Sequence, residues 1–558
     1  MLAATAAFGL LLALYSVALP LNEAPDEPAH ADLVFHLATG ASYPTFDGRR
    51  MEYGVNRMCT LYGAAIRACP GRGEVVSLTG KRKHVADAAP DRRTRPTYDQ
   101  VRIERPGGPV NQMPQHPPLY YRLMSTVLRV ERAVIPGDLS YDREFGLLRL
   151  ANVALVAPVP LLCWWTVRRL GFGSVLNSVI GSTAALIPFV IPQLLHIGST
   201  INNDNLLTLL TGGLVVLLAG VAQGDLSRRT AIAVGVVTGL ALLTKAFAIV
   251  LPPVVVAAYV VGWRATRRRQ VAGAGVLVAG VLAAAVSGWW YLANVIRGDG
   301  LAPSTENSRL TSALRRPGFH PDPWNYAQTF GSQFTERFWG WFGWYTVRLS
   351  LAVIIGASVL LVVALAAGLL GGRRVAMASE QVRSADEPQA GASDGDDERP
   401  LAVGRLPLTV LLLPSVLLLL FVTTRAWSLY TLTSYTPFIQ GRYLFPSIIG
   451  IAAIAALGVH RLSGRWAPLV VLAWGVVMQV DALRRILSGY WGPPGGGPRA
   501  EVRALIAWSP WPGELLAAGA LLAVAAGAWL VFEVVRAEMA VYAAVPGAVR
   551  STLVDVAP

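Results

Sequence analysis

The chain has 558 residues, of which 53% are hydrophobic and only 15% are charged. An average soluble protein has about 25% charged residues, and a mean hydropathy of +0.46 over the whole chain excludes a string of soluble domains. The 48 basic and 34 acidic residues give a net charge of +14, which in a soluble chain would indicate nucleic acid. Here arginines lie where apolar segments end, as the positive-inside rule expects. The sequence therefore predicts an all-α polytopic membrane protein whose partner is the lipid bilayer and not nucleic acid.

Apolar windows of about 20 residues, the length that crosses the hydrocarbon core, predict about twelve transmembrane helices. They lie near residues 2–20, 150–167, 175–195, 205–222, 230–244, 246–262, 271–292, 349–371, 405–423, 443–459, 467–483 and 514–535. Arginine clusters at every second boundary predict that both termini are cytoplasmic. Two large outer segments then remain, at 21–149 and 294–348.

The predicted organisation has four parts. They are a catalytic core at 1–371, an acidic linker at 372–404, further transmembrane helices at 405–535 and a cytoplasmic tail at 536–558. The linker is rich in Asp, Glu, Ser and Gly and cannot bury enough apolar surface to fold, so we expect disorder there. Cys59 and Cys69 lie in the first outer segment, on the oxidising side, and are disulfide candidates.

The segment after the first span carries the most informative motif, with Asp26, Glu27 and His30 in six residues. Two adjacent carboxylates and an imidazole at a membrane surface suit proton transfer in catalysis. The alternative is that the carboxylates cap the next helix and favour its positive end. That helix, near 31–40, has an amphipathic pattern that predicts an interfacial position with Asp32 and His36 toward water.

Other polar motifs fall on the same predicted side of the membrane. Their candidate site residues are His116, Tyr120, Asn203, Asp204, Lys245 and Arg442. Asn203 and Asp204 begin a span, so helix capping is an equal alternative for them. Arg442 lies outside the positive-inside pattern and suits bidentate contact with phosphate; the alternatives are snorkelling to headgroups or pairing with Asp481.

The motifs of several common enzyme classes are absent from the sequence. The sequence has no Gly-rich phosphate loop, no Cys/His ligand cluster and no Gly-x-Ser-x-Gly elbow. Nucleotides are scarce outside the membrane, where the polar motifs are predicted to lie. An activated donor used there is therefore expected to be carried by a lipid.

Taken in order, these motifs resemble the GT-C superfamily of integral-membrane glycosyltransferases, which includes protein O-mannosyltransferases and the lipid A aminoarabinose transferase. The resemblance covers about residues 1–450 and is greatest to a bacterial branch of predicted membrane proteins of unknown function. It implies a GT-C-like arrangement of helices in the bacterial plasma membrane, with the active site on the extracytoplasmic face. It also implies transfer of a hexose or pentose from a polyprenyl-phosphate sugar to a glycan, lipid or protein acceptor, with inversion.

The resemblance further implies roles for individual residues. Asp26 matches the superfamily's general base, with Glu27 as the neighbouring candidate, and Arg442 and Lys245 are candidates for the donor phosphate. A divalent cation is left open as a cofactor. The alternative function is a transporter or flippase of lipid-linked saccharides. Transporters favour internal repeats and charges at mid-membrane, whereas the notable charges here cluster at predicted outer helix ends.

Overall fold

The computed structural model describes residues 1–52, 89, 91–101, 110–304, 314–370, 405–436, 438–492 and 496–544. The predicted linker at 372–404 and the candidate pair Cys59 and Cys69 lie outside these residues. The first helices are α1 (Leu2–Ala18), α2 (Glu27–Ala38), α3 (Tyr98–Val101), α4 (Leu119–Val134), α5 (Tyr141–Val156), α6 (Val159–Leu170), α7 (Ser174–Leu186), α8 (Pro192–Gly198) and α9 (Asn203–Ala222). They are followed by α10 (Arg228–Leu242), α11 (Leu251–Thr266), α12 (Arg269–Ile296), α13 (Pro323–Trp339), α14 (Leu351–Leu370), α15 (Arg405–Thr433), α16 (Ile448–Ser463), α17 (Ala467–Ile486), α18 (Pro498–Trp508) and α19 (Gly513–Ala544).

A single short hairpin accompanies the helices in the described part of the chain. Its strands are β1 (Trp341–Phe342) and β2 (Val347–Arg348), which pair antiparallel. The all-α prediction is confirmed, because every other regular element among the described residues is helical.

The number of membrane spans differs from the prediction. Eight helical stretches of the described chain are long and apolar enough to cross a membrane, or nine if the bent pair Leu176–Val190 and Pro192–Gly198 counts as one. A helix lies in each of the predicted windows, but the count of twelve is not confirmed. Two predicted spans fall in one helical stretch, Gly441–Trp491, and α1 and α10, with 17 and 15 residues, are shorter than the usual span of about 20.

Proline breaks the bent pair. Pro188 lies in a 3₁₀ turn at the end of α7, and Pro192 begins α8, with a bend of 72° between the two helical parts. Proline has no backbone N–H and clashes with the preceding turn, so a continuous helix cannot pass through this segment. The short α8 that results lies buried among its neighbours and leads directly to the start of α9.

The predicted helix after the first span is present as α2, but it is buried, so the prediction of an interfacial position was wrong. All residues of α2 are buried except His36, which is half-buried. Asp32 does not face water, because its fully buried carboxylate forms a salt bridge of 2.7 Å with Arg49. Asn111 also donates a hydrogen bond of 2.7 Å to Asp32. Other parts of the first outer segment therefore cover the face of α2 that the sequence pattern assigns to solvent.

The helix α9 is the centre of the region that holds the predicted site. It contacts α6, α10 and α11 along its length and the 3₁₀ helix Gly441–Ser447 beside it. Asn202 caps α9, since its side chain accepts a hydrogen bond of 2.9 Å from the Asp204 amide. The segment between α1 and α2, the start of α9, the turn before α11 and the 3₁₀ helix thereby meet in one place.

Candidate active site

Asp26 occupies the turn before α2 in the left-handed conformation, with φ of 66°. Its carboxylate receives no hydrogen bond from the helix it precedes, Glu27–Ala38, so capping does not explain it. Instead, Oδ1 accepts a hydrogen bond of 3.0 Å from Gln112 and Oδ2 forms a salt bridge with Arg442. The Asp26 side chain is 20% exposed, so this carboxylate is accessible to a substrate.

Arg442 reaches Asp26 because Gly441 allows two backbones to touch. A Cβ on Gly441 would lie 2.3 Å from the backbone nitrogen of Phe338, at the end of α13. The guanidinium of Arg442 is almost fully buried and also donates a hydrogen bond of 3.0 Å to the Pro25 carbonyl. Its Nε has no hydrogen-bond partner among the described residues and lies 3.9 Å from Oδ2 of Asp204.

Lys245 completes a line of alternating charges. Its Nζ lies 2.6 Å from Oδ1 of Asp204, and it sits over the rings of Phe247 and Tyr443 at 4.9 and 5.0 Å. Oδ2 of Asp204 is buried and receives no hydrogen bond from the described part of the chain. Asp26, Arg442, Asp204 and Lys245 thus lie one after another, and we call these four side chains the charged line. The charged line connects four separate segments, and polar atoms of Arg442 and Asp204 at its middle have no hydrogen-bond partner among the described residues.

Glu27 has a different role from its neighbour. Its carboxylate is fully buried and forms a salt bridge of 2.7 Å with the fully buried Arg149 of α5. It also accepts a hydrogen bond of 3.1 Å from the Ile201 amide. Arg149 donates further hydrogen bonds to the carbonyls of Ser16, Leu19 and Pro20 at the end of α1. This pair fixes the segment that presents Asp26, and both carboxylate oxygens of Glu27 already accept hydrogen bonds from Arg149.

Two histidines and two tyrosines form a wall beside the charged line. Nδ1 of His30 lies 2.9 Å from the Tyr121 hydroxyl, and the two rings stack. Burial lowers the pKa of His30 and of His116 well below the usual range, and the charges of Lys245 and Arg442 act in the same direction. Both imidazoles are therefore neutral at physiological pH.

Tyr120 and Asn203 lie in the same wall, and their hydrogen-bonding contacts are with other buried side chains of the protein. The Tyr120 hydroxyl donates a hydrogen bond of 3.0 Å to Asn152. The Asn203 amide lies 3.5 Å from the Tyr121 hydroxyl, at the limit for a hydrogen bond. The Asn203 Oδ1 and His116 Nδ1 atoms are buried and lack hydrogen-bond partners within the described residues.

Two further cations lie near the charged line and were not predicted from the sequence. Arg337 stacks on the ring of Tyr345 at 4.0 Å, and its charge interacts with that of Arg442. Arg425 lies over the Phe438 ring at 4.5 Å and acts electrostatically on His116. Arg337 lies in the last turn of α13, and Arg425 lies inside α15, just beyond the predicted span at 405–423. Both are on the predicted outer side, where the positive-inside rule does not call for them, which is the signal that singled out Arg442.

No group of three or more His, Cys, Asp or Glu side chains in the described residues is arranged to hold a metal ion. Asp26 and Asp204 are each bonded to a cationic side chain instead. Cys163, inside α6, is a buried free thiol.

Comparison with known proteins places the chain in a family. Residues 8–451 match the family model described as predicted membrane protein (DUF2142). The chain belongs to this family. The match confirms the predicted resemblance to a branch of predicted membrane proteins, and it contains Asp26, Asp204, Lys245 and Arg442. ArnT from Cupriavidus metallidurans bound to undecaprenyl phosphate is a similar solved structure, with 12% identity, a TM-score of 0.42, and coverage of 94% of this chain and 77% of that chain. No curated protein matches the chain.

Proposed function

We propose that this DUF2142 member is a GT-C-type glycosyltransferase of the bacterial plasma membrane. It would move a sugar from a polyprenyl-phosphate donor to an extracytoplasmic glycan, lipid or protein acceptor. The observation that carries the proposal is the pairing of an accessible carboxylate, Asp26, with a buried cation, Arg442, that has a free N–H. The order of motifs in the sequence supports the same superfamily.

The local cations favour an anionic ligand. Arg442 and Lys245 pair with Asp26 and Asp204, the charge of Arg442 acts on Arg337, and Arg425 and Lys245 act on His116. A phosphate monoester carries about −1.5 to −2 charges at pH 7, whereas the phosphodiester of the donor carries one. Cations at the site would therefore stabilise the charge that develops on the leaving polyprenyl phosphate.

The reaction follows from these positions. Asp26 accepts the proton of the acceptor hydroxyl, whose oxygen forms a bond to the anomeric carbon of the sugar. The bond between that carbon and the phosphate oxygen breaks, and its electron pair goes to the phosphate. Arg442 can donate from Nε to this phosphate while its Nη2 atom remains on Asp26. A single displacement of this kind inverts the anomeric configuration.

The test is release of polyprenyl phosphate from radiolabelled polyprenyl-phosphate sugars by membranes that contain the protein. Asp26→Asn should lower release by about a hundredfold or more, because general-base help is lost. Asp481→Asn is the matched control, since Asp481 pairs with Arg485 one turn along α17 and accepts a hydrogen bond from the Ser350 amide. Equal release by wild type and Asp26→Asn would contradict the proposal. Movement of the intact lipid-linked sugar across the bilayer without its cleavage would favour the transporter.

A further inference from the structure

Two residues just ahead of Asp26 bury polar groups that no described residue satisfies. Asn22 is 3% exposed and Glu23 is 2% exposed. Both side-chain polar atoms of Asn22 and Oε2 of Glu23 lack hydrogen-bond partners among the described residues. Burying such atoms unpaired is costly, and native proteins rarely tolerate it without a reason. Three unpaired atoms on two adjacent residues indicate a position for a ligand.

Two hydroxyl groups lie close to Glu23 at the turn of the β-hairpin. A Cβ on Gly343, whose φ is +60°, would lie 2.1 Å from the Tyr490 hydroxyl, 3.0 Å from Oγ1 of Thr346 and 3.1 Å from Oε2 of Glu23. The Thr346 and Tyr490 hydroxyls lie 2.8 Å apart and hydrogen-bond to each other. Glycine is therefore required here both by its backbone conformation and by the convergence of three polar side chains on one point.

The chemistry of this group suits a neutral ligand with hydroxyl groups. Burial raises the pKa of Glu23 to about 8, the charge of Glu27 adds to the rise and that of Arg149 opposes it. Glu23 is thus mainly protonated at pH 7 and can both donate and accept. The Asn22 amide can also do both. Sugar hydroxyls have the same dual character, whereas a phosphate would need cations.

The same turn connects these residues to the charged line. Tyr345, two residues after Gly343, donates a hydrogen bond to Gln440, which directly precedes the segment of Arg442. The charges of Asp26 and Arg442 both act on the Tyr345 hydroxyl. The turn therefore lies beside Glu23 at Gly343 and contacts the segment of Arg442 through Tyr345.

We propose that Asn22 and Glu23 bind the hydroxyl groups of a sugar ring whose reacting atom lies at Asp26. This inference rests on the proposed function and assigns specificity residues to it. The ring belongs either to the donor or to the acceptor, and both sources present the same hydroxyl chemistry.

The experiment compares wild type with Glu23→Leu and Asn22→Gly in detergent. Leucine removes the carboxyl group while filling similar space, and glycine keeps the left-handed backbone of Asn22 without its amide. The donor arm measures affinity for bare undecaprenyl phosphate and for the same lipid carrying mannose, glucose, galactose or arabinose. The acceptor arm measures KM for the corresponding octyl glycosides in the release assay. Glu533→Gln, at a half-exposed ion pair in α19, is the control, and Glu23→Gln is a conservative variant that keeps hydrogen bonding at the site.

If the ring is the donor's, Glu23→Leu should lower by about tenfold the ratio of sugar-lipid to bare-lipid affinity, with unchanged KM for the glycosides. If the ring is the acceptor's, KM should rise by about tenfold while that ratio stays constant. The Glu533→Gln control should resemble wild type, and Glu23→Gln should change each quantity less than Glu23→Leu does. Folded variants that leave both quantities unchanged, or a wild type that prefers no sugar in the panel, would overturn the inference. Failure of wild type to bind bare undecaprenyl phosphate would instead reject the proposed function, and the inference with it.

Discussion

Asp26 and Glu27 are adjacent carboxylates with opposite environments, and this difference separates their roles. Asp26 is partly exposed and pairs with Arg442. The Nε atom of Arg442 has no hydrogen-bond partner among the described residues. Glu27 is fully buried against Arg149 and completes the connection between α1 and α5. We therefore propose that Asp26 accepts the proton and that Glu27 supports the surrounding backbone.

Glu27→Gln should destabilise the protein strongly, because it leaves the buried Arg149 without a counter-charge. Breaking a buried ion pair from one side typically costs about 3–5 kcal/mol. Thermal unfolding in detergent should show a much lower Tm for Glu27→Gln than for Asp26→Asn, whose partner Arg442 also contacts Asp204. A Glu27→Gln protein with wild-type Tm and no transfer would show that the two roles are reversed.

Glu23 should make stability depend on pH. Its pKa of about 8 in the folded protein exceeds the value of about 4.3 expected after unfolding. The folded state therefore holds a proton that the unfolded state has lost, and the contribution of Glu23 to stability falls as pH rises from about 4.3 to about 8. The Tm of Glu23→Gln, measured relative to wild type, should rise between about pH 5 and pH 8 and then level off. A difference that does not change with pH would contradict this account.

The sequence singled out Asp26, Asp204, Lys245 and Arg442 as candidates but did not give their pairings, and it missed Arg337 and Arg425. Asp26 and Arg442 are 416 positions apart, and each was recognised from its place at a predicted outer helix end. The expected partner of Arg442, if it were structural, was Asp481, which instead pairs with Arg485. Pairings of this kind depend on which helices lie side by side, and that order is not encoded in local pattern. Glu23 was missed because nothing in its neighbours shows that it would be buried.

The apolar segments predicted the positions of the helices well, but the sequence pattern predicted the surroundings of α2 wrongly. Every predicted span contains a helix, whereas α2 is buried where its amphipathic pattern predicted an interfacial position. Its Asp32 contacts Arg49 and Asn111 of the segment 21–149 rather than water. A polar helix face therefore indicates contact with polar groups. The sequence alone does not show whether those groups belong to the protein or to water.

Arg95 should hold α18 against the first outer segment. Its buried guanidinium bonds to Asp142 at 2.6 Å and to the carbonyls of Ala507 and Ser509 at 2.8 and 3.1 Å, at the end of α18. Helix-end carbonyls need such donors. Arg95→Met should therefore speed amide hydrogen exchange in α18, while Arg93→Met, at an exposed position, should not. Equal exchange in the two variants would show that α18 is held by other contacts.

For the whole molecule, the predicted orientation places the site outside the cell. The alternating arginine clusters predict that residues 294–348 are outer and 372–404 are cytoplasmic. In a background without the native cysteines, a membrane-impermeant maleimide applied to intact cells should label His320→Cys and leave Ala390→Cys unlabelled. The opposite pattern would invert the topology and place Asp26 on the cytoplasmic side.

In the proposed reaction, Arg442 holds the phosphate of a polyprenyl-phosphate donor next to Asp26. The most direct measurement is the affinity of purified wild type, Arg442→Lys, Arg442→Gln and the control Arg485→Gln for undecaprenyl phosphate, with Tm recorded for each. Arg485 is 39% exposed and pairs with Asp481, so its loss should leave affinity unchanged. We predict that Arg442→Gln binds about tenfold or more weakly, since a charged hydrogen bond is lost. Arg442→Lys should be intermediate, because it keeps the charge without the two-pronged geometry. Lowered Tm with unchanged affinity in both Arg442 variants would show a purely structural arginine and contradict the account.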